Sequence, residues 1–227
     1  IIKEVKSVLK DSDSASIMKL MYRCVIGAQA GKQEDSLEFF KQLLEKLKEV
    51  PVPVDGLFGV KWTEKSTCFM GNHGDGSSYA EKKDTESMVY ELTVPHTKTS
   101  LQVLLDNSLN KISRYPCRAC GGKEDSYFND HREILNSSKY LIIHLKRTHD
   151  GKTKNNTEVT ISETLNFDQK LYRVIGYIYH IGTSASSGHY TSEVYFRGQW
   201  WNVNDDSIKD IEKPSKPSQG CEAGLLL

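Results

Sequence analysis

Ser187-Gly188-His189-Tyr190-Thr191, followed after one predicted β-hairpin by Trp200-Trp201-Asn202-Val203-Asn204-Asp205-Asp206, is the stretch that decides the reading of this 227-residue chain. Tyr190, Val194, Tyr195 and Phe196 are good strand formers, so 189–197 reads as a strand and 199–204 as its return, with Arg197-Gly198 as the turn. A two-residue turn pairs Phe196 with Gln199. His189 then faces Asp206, and Asn204 becomes its same-face diagonal neighbour at roughly 7–8 Å between backbones, within side-chain reach. Asp205 falls on the other face, because side chains alternate along a strand. A three-residue turn would reverse that parity and pass the role to Asp205. A histidine with an amide or carboxylate partner on adjacent strands supplies two members of a Cys-His-Asn/Asp nucleophilic site, in which the base needs an orienting hydrogen-bond partner.

Composition sets bounds without choosing a function. A chain of 227 residues can bury a sizeable core as one large domain or two small ones. Thirty basic and thirty acidic residues leave no net charge, so no strong draw to nucleic acid or to a membrane surface is expected. No apolar run has the length of a membrane span or the form of a signal peptide. Five cysteines, an odd number with one C-x-x-C pair, suit a reducing compartment and metal binding better than a disulfide framework. The chain starts with Ile1 rather than Met, which suggests a fragment or a processed chain.

The periodicity predicts an amphipathic helix over 36–48, with Leu37, Phe40, Leu44 and Leu47 on one stripe, Asp35 or Ser36 as N-cap and Pro51 just beyond the end. A weaker helix is expected over 15–23 and a short one over 99–110, burying Leu101, Leu104, Leu105 and Leu109. Strands are expected near 89–94, 125–134, 139–146 and 171–180, in addition to the two of the hairpin. Residues 51–59 read as a linker, the Gly-, Ser-, Asp- and Lys-rich segment 71–87 as a mobile hairpin tip, 149–157 as a polar loop and 214–220 as a loop.

Four motifs stand in order along the chain. They are Gln33-Glu34-Asp35-Ser36-Leu37-Glu38-Phe39-Phe40; Tyr140-Leu141-Ile142-Ile143-His144-Leu145-Lys146-Arg147; Tyr172-Arg173-Val174-Ile175-Gly176-Tyr177-Ile178-Tyr179-His180-Ile181-Gly182 with Gly188-His189-Tyr190; and Trp200 to Ile208 with Val203-Asn204-Asp205. Together they resemble the Q-Q-D-x-x-E-F-L, L-x-[IV]-x-L-K-R-F, Y-x-L-x-x-V-x-x-H-x-G…G-H-Y and W-x-x-F-[ND]-D-x-x-V segments of the ubiquitin-specific proteases, the papain-like cysteine deubiquitinases. Thr148 replaces the aromatic after the L-K-R run. Residues 223–227 resemble the family's last strand, cut short and with Gly224 at its Tyr position.

The resemblance implies an α+β, papain-like fold truncated at the N-terminus: one partial catalytic domain with a helical thumb remnant (1–50), β fingers and connecting segments (51–138) and an antiparallel β palm (139–227). It implies a thiol-dependent hydrolase acting after the C-terminal glycine of ubiquitin in conjugates. His189 is then the base, Asn204 its orienter and Asp205 the fallback. Gln33, Asp35, His180 and Tyr190 match positions along the channel for ubiquitin's tail, although Asp35 as a helix cap and Tyr190 as packing are equally structural readings. The family's nucleophile box belongs upstream. The 32 residues before Gln33 hold only Cys24, in a Tyr22-Arg23-Cys24-Val25 context without the box's Asn and Gly-Asn-Thr neighbours. Cys24 therefore reads as a packed apolar residue, and the chain alone is expected to be inactive. No catalytic cofactor is expected.

Cys117-Arg118-Ala119-Cys120 has zinc-knuckle spacing. The family's fingers often use two such pairs; here the second is Cys68 with Gly71 in place of a cysteine, and His73 is the substitute ligand. A fingers hairpin held by packing alone is the other reading. His96, His131, His144 and His149 read as structural or solvated. The expected partners are ubiquitin and ubiquitinated proteins, with no nucleic acid and no membrane, in the cytoplasm, the nucleus or both. A ubiquitin-binding pseudo-protease or scaffold remains the alternative function.

Overall fold

The structure, a computed structural model, describes residues 35–48, 56–69, 80–117, 123–148, 153–182, 184, 187–215 and 221–226. In chain order the elements are α1 (Ser36–Lys48), β1 (Val60–Cys68), β2 (Ala80–Ser87), β3 (Tyr90–Thr93), β4 (Thr99–Ser100), α2 (Leu101–Leu109), β5 (Asn110–Cys117) and β6 (Lys123–Ser137). They continue with β7 (Leu141–Lys146), β8 (Val159–Thr160), β9 (Thr164–Phe167), β10 (Lys170–Ile181), β11 (His189–Phe196), β12 (Gln199–Asn204), β13 (Ser207–Ile211) and β14 (Cys221–Leu226). The expected helix over 15–23 lies outside the described residues.

Two antiparallel-rich sheets divide the molecule. The fingers are a four-stranded sheet in the order β2-β1-β6-β5. The palm is an eight-stranded sheet in the order β13-β12-β11-β10-β14-β7-β3, with β9 paired to β10. The palm is not contiguous in sequence: β3 pairs in parallel with β7, so a strand from within the 51–138 stretch belongs to it. The main core lies between the palm and α2, where Tyr90, Leu92, Leu101, Leu105, Leu141, Ile143, Leu145, Leu165, Phe167 and Tyr177 are buried together. Ser100 caps α2 by accepting from Val103 N at 3.2 Å. The fingers hold a second, small cluster of Cys68, Cys117 and Phe128, with Tyr115 stacked on Phe128 at 3.9 Å.

Polar contacts fasten the root of the fingers to the palm. Tyr172 Oη donates to Ser137 Oγ and Ser138 O, each at 2.8 Å, and Lys170 Nζ donates to Ser137 O at 2.6 Å. Ser137 Oγ in turn donates to Asp168 Oδ2 at 2.9 Å, in a β9–β10 turn whose residues Asp168 and Gln169 have φ of 54° and 58°. That positive-φ pair matches the twist of a tight hairpin, which non-glycine residues adopt only where contacts hold them. Burial raises the Tyr172 hydroxyl above its usual pKa, keeping it a donor. On the other side of the molecule Lys41 of α1 meets Glu91 of β3 at 2.8 Å and holds that carboxyl below its ordinary pKa. The depressed value makes this small contribution present at neutral pH and lost as pH falls through the folded pKa of Glu91.

Two expectations are corrected. Residues 80–87 are an edge strand, not a hairpin tip; 71–79 lie outside the described residues. β2 is polar throughout, and its signal is cross-strand charge rather than hydrophobic alternation: Lys83 pairs with Glu64, and Glu86 meets Lys61 at 3.1 Å. The second correction is β1 and β5, strands the sequence did not suggest. The described part of the expected polar loop over 149–157 has no helix or strand, and within it Lys154 and Asn155 are buried at 5% and 8% exposure. Asn155 donates to Val94 O at 2.9 Å and Pro95 O at 3.0 Å, and buried Arg147 donates to Asn155 O at 3.0 Å and Thr157 O at 2.7 Å. Backbone acceptors inside the fold draw these polar side chains inward.

Glu193 of β11 is a buried carboxylate at 2% exposure. It accepts from Tyr179 Oη at 2.8 Å, Ser215 Oγ at 2.7 Å, Ser215 N at 3.0 Å and Asn202 Nδ2 at 3.5 Å. Three strands and the segment leading to β14 thus meet on one anion. Replacing it by the neutral, isosteric amide should lower stability, since hydrogen bonds to a charged group are worth about 1.5–3 kcal/mol against about 1 for neutral ones, and one acceptor oxygen becomes an NH2 donor facing other donors. Urea unfolding of Glu193→Gln should show a lower midpoint with an unchanged slope; an unchanged midpoint would contradict this role.

Candidate active site

The β11–β12 hairpin has the expected two-residue turn: Phe196 pairs with Gln199 and the register runs to Ser192 with Val203. Arg197 and Gly198 have φ of 52° and 88°, the positive pair of a type I′ turn. His189, the first residue of β11, and Asn204, the last of β12, therefore leave the same face. Their side chains meet at 2.6 Å, His189 Nε2 to Asn204 Oδ1. A carboxamide oxygen only accepts, so the imidazole donates from Nε2 and leaves the Nδ1 lone pair as its basic position.

Beyond Asn204 the pairing differs from expectation. His189 does not face Asp206 across the ladder, because the chain reverses at Asp205-Asp206 and Asn204 pairs with Ser207 of β13. Asp205 has φ of 50°, and this turn swings its carboxylate back, with Oδ2 4.0 Å from His189 Nε2. The expectation that Asp205 points away from His189 is thus corrected, while the amide keeps the close contact. At 79% side-chain exposure the Asp205 charge is largely screened by water.

Asp35 caps α1, its Oδ1 accepting from Leu37 N at 2.8 Å and Glu38 N at 2.9 Å. The rest of its exposed carboxylate faces solvent. A cavity of about 370 Å³ separates the start of α1, at Ser36, Leu37 and Phe40, from Ile142, Ile178, Ser192 and Val194 of the palm. Tyr190 shares the β11 face of Ser192 and Val194 by alternation, so Asp35 and Tyr190 lie on the same side of the sheet. Gln33 lies outside the described residues.

His180 pairs with Tyr190 across β10 and β11, and their rings pack at 4.7 Å between centroids. At 2% exposure His180 is sealed rather than open to the cavity. Lys154 Nζ stands 3.0 Å from His180 Nδ1 and also donates to His180 O. Gly188 explains the glycine of Gly188-His189-Tyr190: a Cβ there would collide with His180 Nε2 and stand 2.6 Å from Ile181 O. The sequence offered no signal for Lys154 or Glu193, since both sit among residues that read as surface.

Cys68 and Cys117 are buried at 1% exposure each, on strands that both flank β6. They belong to the two different hairpins β1–β2 and β5–β6 yet share the cluster around Phe128. His73 and Cys120 lie outside the described residues, as does Cys24. Among the described residues there is no group of three metal-binding side chains.

Comparison with known proteins agrees with this architecture. Ubiquitin carboxyl-terminal hydrolase 15 of Arabidopsis thaliana is 24% identical over 230 residues, covering 87% of this chain and 24% of that protein. Ubiquitin carboxyl-terminal hydrolase 48 of Gallus gallus is 26% identical over 219 residues, covering 82% of this chain and 20% of that protein. The chain thus spans about a quarter or less of these relatives. The SAGA Ubp8/Sgf11/Sus1/Sgf73 deubiquitinating module bound to ubiquitin aldehyde superposes with a TM-score of 0.65 at 18% identity, over 86% of this chain and 49% of the matched one. At that identity the likeness establishes the fold, which is the thumb, fingers and palm arrangement of the ubiquitin-specific proteases. The family model for ubiquitin carboxyl-terminal hydrolases matches residues 8–227, and the chain belongs to that family.

Proposed function

We propose that this chain carries the base, its orienter and part of the ubiquitin cleft of a thiol-dependent deubiquitinase. The observation behind the proposal is the His189–Asn204 hydrogen bond at the end of two palm strands. With Nε2 committed to Asn204, Nδ1 takes the proton of a cysteine thiol, and the resulting thiolate attacks the carbonyl carbon of ubiquitin's C-terminal glycine. Collapse of the tetrahedral intermediate breaks the C–N bond. The imidazolium returns its proton to the departing lysine amine. Water, deprotonated by the same nitrogen, then releases ubiquitin's carboxylate and regenerates the thiol. Asn204 holds the ring through both half-reactions; a neutral amide orients the imidazolium without stabilising its charge as a carboxylate would.

In this reading the nucleophile lies outside the 227 residues. Cys68 and Cys117 are buried in the fingers, and the context of Cys24 lacks the features of a nucleophile box. The tail of ubiquitin would run past the start of α1, where the exposed, acidic Asp35 suits arginines in the tail. The structural neighbour bound to ubiquitin aldehyde supports ubiquitin as the partner. Reduced, buried thiols fit the cytoplasm or nucleus. A non-catalytic ubiquitin-binding role is the weaker reading, because a binding module has no use for an imidazole held by its Nε2.

The fingers would hold a structural zinc through Cys68, Cys117, Cys120 and His73. Support comes from the convergence of Cys68 and Cys117, from two hairpins, on one protected cluster. Zinc there would supply cross-linking and no chemistry. Elemental analysis of the purified chain should give about one zinc per molecule, falling when Cys117→Ser is introduced; a metal-free folded chain would leave packing around Phe128 as the only support.

The 227-residue chain should neither cleave a ubiquitin amide nor be labelled by a ubiquitin C-terminal electrophile. Mass-spectrometric detection of a ubiquitin adduct on any of its cysteines would overturn that statement. In a longer, thiol-bearing form, His189→Ala should reduce kcat/KM by at least about 10³-fold, and Asn204→Ala should cost less because only orientation is removed. Asp35→Asn separates cap from substrate contact: asparagine caps as well as aspartate, so helix stability should hold while KM for ubiquitin substrates rises. An unchanged KM would leave Asp35 with the cap alone.

A further inference from the structure

The proposed chemistry makes no use of Lys154, a lysine buried at 5% exposure in a stretch of the chain that otherwise reads as a surface loop. Burying an ammonium costs several kcal/mol unless acceptors compensate it. One residue supplies two of its contacts: Lys154 Nζ donates to His180 O and lies 3.0 Å from His180 Nδ1. An ammonium has donors only, so Nδ1 must accept, and the neutral ring then carries its proton on Nε2. Protonating His180 would set a second buried cation against the first, which strongly disfavours the imidazolium. Among the described residues the ionisable groups against the ring are Lys154, from the segment after Arg147, and Tyr190, from β11.

The ring held in this way is a packing template for the catalytic strand. Its face lies on Tyr190, and its Nε2 edge abuts Gly188, leaving no room for a Cβ. Gly188 and Tyr190 flank His189 directly. The Lys154 segment is itself tied down, through the Thr153–Ser184 bridge to the loop before Gly188 and through Asn155 N to Arg147 O at 2.7 Å. We propose that Lys154 is a positioning residue: it locks His180 as a neutral Nε2–H imidazole, and that ring seats Gly188 and Tyr190 so that His189 begins β11 within reach of Asn204. The inference rests on the reading of His189 as the base only for its effect on turnover.

Nitrogen-resolved NMR of the imidazoles in the 227-residue chain tests it directly. His180 should show the Nε2–H tautomer without change from pH 5 to 8, where an ordinary histidine titrates near 6.5. A His180 that titrates near that value, or one with its proton on Nδ1, would overturn the proposal. In Lys154→Met, His180 should begin to titrate and the His189 signals should shift, whereas Lys154→Arg should restore the wild-type spectrum. If the Met variant does not fold, the wild-type titration still decides. In the longer, thiol-bearing protein, assayed on a fluorogenic ubiquitin C-terminal amide, Lys154→Met should lower kcat by about 10- to 100-fold, the scale of a small misplacement of a catalytic group. KM should stay within about twofold; a change confined to KM would contradict a positioning role. Failure of wild-type turnover would count against the proposed function alone, because the tautomer of His180 is read without it.

Discussion

The palm exists as one sheet because its last strand in sequence is a middle strand in space. β14 lies between β10 and β7, pairing Ala223 with both Ile178 and His144. Without it, the meander β10–β13 and the pair β3–β7 would be two separate sheets with exposed edges. The strands β9 to β13 pair with near neighbours in sequence, whereas β3, β7 and β14 pair only across long separations, so β14, which joins the two groups, carries the long-range closure that makes folding slow and cooperative. The buried Glu193 serves that closure, since it draws Ser215, just before the final strand, onto the face of β11. The anion recognises where the returning chain must pass.

The same face carries the proposed base and its orienter, which links closure to the proposed function. His189, Glu193 and Asn202 share one side of β11 and β12 with Asn204, so the carboxylate and the site are supported by the same hairpin. Tyr90, Phe167 and Tyr177 fill the core beneath the sheet, while the fingers depend on their own small cluster around Phe128. Trp62 bridges the two, standing edge-on to Tyr90 at 5.6 Å with Arg132 over its other side. The fingers are thus stabilised locally and oriented at their root, by Trp62 and by the Ser137, Tyr172 and Lys170 contacts.

Legibility in the sequence followed periodicity and parity. Helix α1 was readable over its full length from one apolar stripe and Asp35, and the meeting of His189 with Asn204 followed from the two-residue turn at Arg197-Gly198. Where a segment's stability comes from partners distant in sequence, the pattern was silent. The polar strand β2 forms because β1 offers it matched charges, and Lys154 is buried because His180 offers it acceptors. Asp205 shows a finer failure. Alternation holds only while the strand continues, and a positive φ at that residue ends the strand one position after Asn204. Turn conformation, not strand parity, then decides where the carboxylate goes.

That turn also bears on which nitrogen would serve as base in the proposed reading. Asn204 and Asp205 both approach the imidazole at Nε2, one at 2.6 Å and the other at 4.0 Å. Both contacts leave Nδ1 uncommitted, so the proposed mechanism would place its thiol on the Nδ1 side of the ring rather than beyond the β12–β13 turn. The amide fixes the tautomer at short range and the carboxylate stands by in water, close enough to accompany an imidazolium but too exposed to hold one permanently. A base must give its proton back to the leaving amine. In the proposed reading Asn204 keeps the ring oriented for that return, while the screened Asp205 carboxylate stands 4.0 Å from Nε2.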